Sequence, residues 1–469
     1  MSTAIVWFRR DLRLADQPAL TAACAAHERI VPLYIHAPEE KGAWAPGAAS
    51  RWWLHHSLAA LDGQLRERHG HLYLTAGDSL TVLRQVIADT GAVAVYWNRL
   101  YDPATIARDA DIKQALGEQG VEAHSSNAAL WCEPWRIATQ QGEPYRVFTP
   151  YWRKLRQQLD DVVPLPVPPL RCADAGASLP LDALGLLPVL DWARGFADWT
   201  PGEQGADEML ELFADDAVHA YANARDVPAR HGTSRMSPHL HFGELSPRQV
   251  AHRLRIEASR TDTRRRPDIE PYLRELGWRE FAHHLLYHFP KTPTDNFNGR
   301  FDRFHWAARD EHALTRWQRG MTGMPLVDAG MRELWATGWM HNRVRMVVAS
   351  FLTKNLRQHW LEGARWFWDT LVDADLANNT MGWQWVAGSG ADAAPYFRIF
   401  NPVSQSQRFD PDGAYIRRWV PELADAPGKL VHAPWENPTW LHASAYPQPL
   451  VDLKTSREDA LAAYRAIRG

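Results

Sequence analysis

The sequence predicts an α/β domain with a Rossmann-like parallel sheet over residues 1–130, a long interdomain linker over 131–200, and an all-α domain over 201–469. Three observations carry this expectation. Short apolar runs alternate with helical segments up to about residue 128. From about residue 155 to 200 the chain turns rich in Pro, Ala and Leu and loses sustained periodicity. Beyond about residue 201 strand signals nearly vanish, while helical segments follow one another. At 469 residues the chain also exceeds what one core supports.

Taken in order, "TAIVWF" reads as a first strand, "PALTAACAAHE" as a helix and "IVPLYIHA" as a second strand. "SRWWLHHSLAALDGQLRERH" is an amphipathic helix. "HLYLTAG" and "AVAVYWN" are strands on either side of the helical "SLTVLRQVIADT", and "PATIARDADIKQALGEQG" leads to a last strand, "VEAHSS". This β-α-β-α order calls for a parallel sheet with helices on its faces. No G-x-G-x-x-G follows the first strand, which argues against a dinucleotide site in this half. The later helical segments include "EQGADEMLELFADDAVHAYANAR", "IEPYLRELGWREFAHHLLYHF", "PLVDAGMRELWATG", "MHNRVRMVVASFLTKNLRQHW" and "GARWFWDTLVD".

Composition narrows the function classes. Hydrophobic residues make up 45% and charged residues 23%, as in ordinary globular proteins. The net charge of −3 announces no global field for nucleic acid, but residues 221–300 carry 14 Lys and Arg against 9 Asp and Glu, a local net of +5. Cys24, Cys132 and Cys172 match no metal or disulfide spacing, which fits a reducing, cytoplasmic setting. No run approaches the ~18 apolar residues of a membrane span, and the first residues place charge after the apolar run, the reverse of a signal peptide. His284 and His288 have the i, i+4 spacing of helical zinc ligands, yet the metalloprotease Glu and a third ligand are missing, so no metal is expected. Neither G-x-S-x-G nor a P-loop occurs to anchor a hydrolase or NTPase. The 23 Trp exceed packing needs and point to stacking platforms, redox relays or a crowded aromatic core.

Four stretches carry chemistry. In "WMHNRVRM", Asn342, Arg345 and Met346 stand at i, i+3 and i+4, so an amide, a guanidinium and a thioether share one helical face. In "RELGWREF", Glu275, Trp278 and Arg279 do the same; read alone, this is also an exposed helix with an internal Glu-Arg pair. The stretch "DADLANNTMGWQWVAGSGADAAPYFRIFNP" lacks helical periodicity and reads as a loop rich in side-chain acceptors, with Asp373, Asp375, Asn378 and Asn379. In "RHGTSRMSPHLHFGELSP", Thr233, Ser234, Arg235 and Ser237 next to a helix start suit a phosphate or pyrophosphate, or simply a helix cap.

Together "VWFRRDLRLADQPAL", "GTSRMSPHLHFGELSPRQ", "LRELGWREF", "TGWMHNRVRM" and "LVDADLANNTMGWQWVAGSGADAAPYFRIFNP" closely resemble the photolyase/cryptochrome family, in order and over essentially the whole chain. The resemblance implies that the all-α domain binds FAD, reduced and anionic when active, and acts on UV-damaged DNA as a monomer. Asn342 and Met346 match microbial, class I members that repair cyclobutane pyrimidine dimers; (6-4) repair members carry histidine in place of the asparagine.

Further roles follow from the resemblance. Glu275, Asn342, Met346, Trp278 and Trp385 would line the lesion pocket, with Glu275 bonding the pyrimidine edge as a neutral acid. Asn379 would face flavin N5, and Arg345 would pair with Asp373 beside the flavin ring. Tyr221, the segment Thr233, Ser234, Arg235, Met236 and Ser237, and Asp373, Ala374 and Asp375 would hold FAD. Arg225, Arg279 and Gln405 fall at DNA-contact positions. Trp383, Trp360 and Trp306 match the relay that reduces oxidised flavin. Thr105 stands where folate-antenna members carry an acidic residue, so a second antenna chromophore, if one is bound, is of open identity. The rival readings are a cryptochrome-type blue-light receptor, a (6-4) enzyme and an electron-transfer flavoprotein. The dimer-type pocket residues and the chain end "ALAAYRAIRG", with no signalling extension expected, weigh against the first; Asn342 weighs against the second, and the basic 221–300 region against the third.

Overall fold

A computed structural model describes residues 2–159, 163–260, 266–393 and 397–468; Arg264 and Arg265 of the basic region lie outside them. The first part runs β1 (Thr3–Phe8), α1 (Pro18–Ala26), β2 (Arg29–His36), α2 (Ala48–Arg66), β3 (Tyr73–Ala76), α3 (Ser79–Thr90), β4 (Ala94–Asn98), α4 (Pro103–Gly117) and β5 (Glu122–Ser126). All pairings are parallel, in the order β3-β2-β1-β4-β5. Central β1 is buried from Ala4 to Phe8, as expected where helices cover both faces, whereas edge strand β5 is polar and partly exposed. α3 shows why the predicted ends hold: Asp78 caps it by accepting from Thr81 N at 2.9 Å, and Gly91 closes it at φ 65°.

Chain order reverses between β1 and β4, which opens a crevice beyond their carboxyl ends. A cavity of about 250 Å³ lies there, walled by Trp7, Arg10, Asp102, Thr105 and Arg108 of this part and by His241, Trp368 and Ala374 of the helical part.

Helices follow: α5 (Phe148–Arg156), α6 (Glu203–Asp215), α7 (Tyr221–Ala224), α8 (Ser237–Phe242), α9 (Pro247–Arg260), α10 (Glu270–His288), α11 (Glu311–Gln318), α12 (Pro325–Thr337), α13 (Asn342–Ser350), α14 (Trp360–Thr370), α15 (Leu376–Ala387), α16 (Pro402–Phe409), α17 (Ala414–Trp419), α18 (Pro438–Ser444) and α19 (Leu453–Ala466). The expected linker is not all irregular. α5 packs on α10 so closely that a Cβ on Gly277 would fall 2.4 Å from the Trp152 ring. The expected helix over 203–225 is broken near Asp216 into α6, a 3-10 turn and α7.

The stretch read as a loop contains α15. Leu376, Ala377, Thr380, Trp383, Gln384, Val386 and Ala387 bury it on several sides, so no amphipathic stripe marks it in the sequence. Asp375 caps it through Asn378 N at 2.9 Å, and Gly388 ends it at φ 94°.

Charged residues of the first motif lock the two parts together. Arg13, fully buried, donates to Gly243 O at 2.7 Å, Asp16 O at 2.6 Å and Ala128 O at 3.0 Å. Glu203 receives the N–H groups of Leu14 and Ala15 at 2.8 and 2.9 Å. Gly243, at φ +66°, lets α8 end against the chain at Arg10, where a Cβ would meet backbone at 2.2 Å.

Candidate functional site

Helices α10, α13 and α15 converge on a cavity of about 430 Å³. α10 contributes Glu275, Trp278 and Arg279; α13 contributes Asn342, Arg345 and Met346; the 373–375 turn and α15 add Asp373, Ala374, Asp375, Asn379, Trp383 and Trp385. The i, i+3, i+4 triplets thus face one space, and Leu276 and Phe281 point to the core.

Gly338, at φ 69°, ends α12, and His341 caps α13 by accepting from Arg343 N at 3.2 Å. Arg345 is then held twice, by Met340 O at 2.7 Å and Asp373 Oδ2 at 2.8 Å. Ser237 donates to the same Asp373 oxygen at 2.6 Å, which brings the start of α8 to the cavity floor. Asp373 Oδ1 is buried and has no hydrogen-bond partner among the described residues.

Asp375 lies 3.5 Å from both His241 Nδ1 and His283 Nε2. Burial acts to raise its carboxyl, but His283 and His241 hold it well below the usual range. Glu275 behaves oppositely: burial raises its carboxyl, and Arg225 restrains the rise. The isolated-helix reading of a Glu275–Arg279 pair is replaced, because Glu275 pairs with Arg225 at 2.5 Å. Arg279 turns to the carbonyls of Ala129 and Leu240 at 2.7 and 3.3 Å and stands in the cavity wall. Trp278 is pinned by stacking on Phe148, with centroids 3.5 Å apart. Asn379 donates to Ala364 O at 2.9 Å, which fixes its amide.

Several expected residues lie outside the lining. Tyr221 is buried against Tyr272 and Phe213. Ser234 accepts from Tyr272 OH at 2.9 Å. Arg235 sits at φ 52° between the Trp199 and Trp339 rings, 4.3 and 5.0 Å from their centroids, with no hydrogen bond to its Nε among the described residues. Thr233 is half-buried and Met236 fully buried beside it. Gln405 is half-buried on α16. Trp360 and Trp306 stand behind the cavity on the α14 side.

Sequence reasoning missed Asp226 and Arg343, paired at 2.8 Å at the cavity rim, and the two histidines on Asp375. Only His283 had a local signal, at i+4 from Arg279 on α10. Both ring nitrogens of His284 are engaged by the backbone: Nε2 accepts from Tyr145 N at 3.1 Å, and Nδ1 lies 3.2 Å from Pro134 O.

The donor set fits FAD. A buried carboxylate with a free oxygen suits ribityl hydroxyls, the Asn378 and Asn379 amides suit a flavin edge, and Phe367 and Trp383 supply apolar walls. The unpaired Arg235 Nε beside the start of α8 suits a pyrophosphate.

Comparison with known proteins agrees. The family described as the FAD binding domain of DNA photolyase matches residues 272–466, and that described as DNA photolyase matches 4–169. Deoxyribodipyrimidine photo-lyase of Agrobacterium fabrum is 48% identical over 99% of this chain and 98% of its own. Cryptochrome-2 of Arabidopsis thaliana is 40% identical over 97% of this chain and 77% of its own. A solved bacterial class III photolyase from Agrobacterium tumefaciens superposes with a TM-score of 0.94 at 47% identity, covering 100% of this chain and 98% of that one. These relatives do not divide class I from class III for this chain. They do show that it belongs to the DNA photolyase/cryptochrome family.

Proposed function

We propose that the protein is a deoxyribodipyrimidine photo-lyase that splits cyclobutane pyrimidine dimers in DNA under blue light. One observation carries the reading: α10 and α13 bring Glu275, Trp278, Asn342 and Met346 to one opening above Asp373 and Asn379. When bound, reduced FAD supplies one electron to the lesion on excitation and takes it back after the ring opens. The residues of the chain do the rest. As in other enzymes that work on extruded bases, the lesion leaves the duplex to reach the pocket. Trp278 and Trp385 offer flat faces to it, and Met346 a soft apolar contact. Glu275 holds a proton on the oxygen not bonded to Arg225 and donates it as a hydrogen bond to a base carbonyl as negative charge develops there. Arg225 and Gln405 serve the DNA backbone.

Residues 1–130 form the antenna-type domain and 201–469 the catalytic one, with 131–200 joining them. The crevice cavity has room and aromatic walls for a second chromophore. Among the described residues no helix is long and apolar enough to cross a membrane. The protein works as a cytoplasmic monomer. A cryptochrome-type receptor is the second reading, favoured by the 40% identity to a plant cryptochrome. Incubating reduced protein in light with oligonucleotides bearing either a thymine dimer or a (6-4) product tests the assignment. Repair of the dimer alone is expected; repair of the (6-4) product alone overturns it.

A further inference from the structure

Among the described residues, Trp306 and Trp360 make no ring contact with each other; His359 contacts both. Its imidazole lies 5.0 Å from the Trp306 ring and 5.6 Å from the Trp360 ring, nearly parallel to the latter at 29°. Both tryptophans are held in place. Trp360 is fully buried and donates its indole N–H to Asn296 Oδ1 at 3.1 Å. Half-buried Trp306 belongs to a segment clamped onto the chain before α14, with Ala307 N donating to Arg357 O at 2.9 Å and Asp310 N to Gln358 Oε1 at 3.2 Å. On the inner side, Trp383 rests on α14 at Gly363, where a Cβ would fall 2.0 Å from its ring, one turn from Trp360.

The fold also sets the charge of His359. It is the N-cap of α14, and its Nδ1 accepts from Leu361 N at 3.2 Å. An accepting ring nitrogen carries no proton, so the neutral ring bears its hydrogen on Nε2. Protonating Nδ1 would cost the helix its cap. Burial opposes the charge as well and lowers the pKa, with Glu362 pulling it up and Arg365 pushing it down. Glu362 is itself drawn off by Arg309 at 3.3 Å, which also binds Glu311.

We propose that His359 is the uncharged aromatic bridge between the two outer relay tryptophans, and that its protonation shuts the relay. This rests on reading Trp383, Trp360 and Trp306 as that relay. Once Trp360 has passed an electron to Trp383 it holds a positive hole. One electron then moves from Trp306 to Trp360, which restores Trp360 and leaves the hole on Trp306. A thiol in solution fills it with one electron and releases its proton to water. A neutral imidazole sets no charge against either hole, whereas an imidazolium at these distances opposes both.

The test begins with flavin-free protein. Ring-nitrogen spectra of wild type and His359→Phe identify the His359 signal and give its tautomer and titration. An unprotonated Nδ1 at neutral pH and a titration below the ordinary histidine range are expected. Flash photoreduction of FAD-loaded protein with thiol present is then followed across that titration. The wild-type rate should fall about tenfold or more on the acid side, and His359→Phe should show a flat profile. His359→Asn, which keeps a capping side chain but removes the ring, should be slow at every pH. A wild-type rate indifferent to the titration, or a His359 already charged at neutral pH, overturns the proposal. Trp383→Phe run alongside separates the two premises: photoreduction that survives it ends the relay reading and the proposal with it.

Discussion

Arg225 donates to Glu275 Oε1 at 2.5 Å across the rim of the cavity, and the next residue, Asp226, accepts from Arg343 at 2.8 Å on the opposite wall. Two successive residues thus tie α10 and α13 together beside the cavity. Arg343 also reaches Met346 Sδ at 3.8 Å, so the rim and the pocket are mechanically linked. On the proposed reading a DNA phosphate would compete for Arg225, and a carboxyl that loses its cation takes a proton more readily. Substrate binding and the neutral form of Glu275 would therefore favour one another.

Glu275→Ala should cut repair per absorbed photon by about two- to tenfold, the worth of one hydrogen bond, while FAD content stays intact. Burial raises the Glu275 carboxyl, and the protonated form is the donor, so repair should decline as pH rises through that value. Glu275→Gln, always a neutral donor, should flatten the decline. Quantum yields across pH for the three proteins check this; loss of FAD on substitution would mean that Glu275 holds the cofactor.

Trp383→Phe should stop photoreduction of oxidised flavin and leave repair by chemically reduced protein in place. Trp383 is buried on Gly363 between the cavity and Trp360. Equal loss in both assays would contradict the relay.

Asp373 binds Arg345 and Ser237 through one oxygen, and the other has no hydrogen bond among the described residues. Asp373→Asn should weaken FAD binding by about 1.5–3 kcal/mol, as for other hydrogen bonds to a charged group. Titrating flavin-free protein with FAD measures it; unchanged affinity would place the cofactor elsewhere.

Glu280, 1% exposed, accepts from Trp131 N and Cys132 N on Oε2, while Oε1 has no hydrogen bond among the described residues and lies 3.7 Å from Arg279 Nη1. Burial pushes its carboxyl up from 4.5 to about 7. Between these values the folded protein holds a proton that the unfolded chain has lost, so stability falls as pH rises, by about 3 kcal/mol in all. Denaturant unfolding at about pH 5 and about pH 8 should show this loss in wild type and not in Glu280→Gln. The same slope in both proteins would remove Glu280 as its source.

The sheet domain was legible because its signals are local. β1, β2 and β4 are short apolar runs closed by turn residues, and α3 carries both caps in its own sequence. The pocket faces of α10 and α13 were legible for a similar reason, since i, i+3, i+4 spacing fixes a shared face before any tertiary contact forms. α15 was not, because burial on several sides erases the period that marks a helix. Nor were the pairing of Glu275 with Arg225, fifty residues away, and the inward turn of Arg279. Those depend on where distant segments pack, and composition carries no record of it.

Exposing FAD-reduced protein and a thymine-dimer oligonucleotide to blue light, against a dark control, tests the central claim most directly. Light-dependent return of the intact thymines, with none in darkness, is the predicted result. Folded protein with bound reduced flavin that leaves the dimer unchanged in light would contradict it and favour the receptor reading.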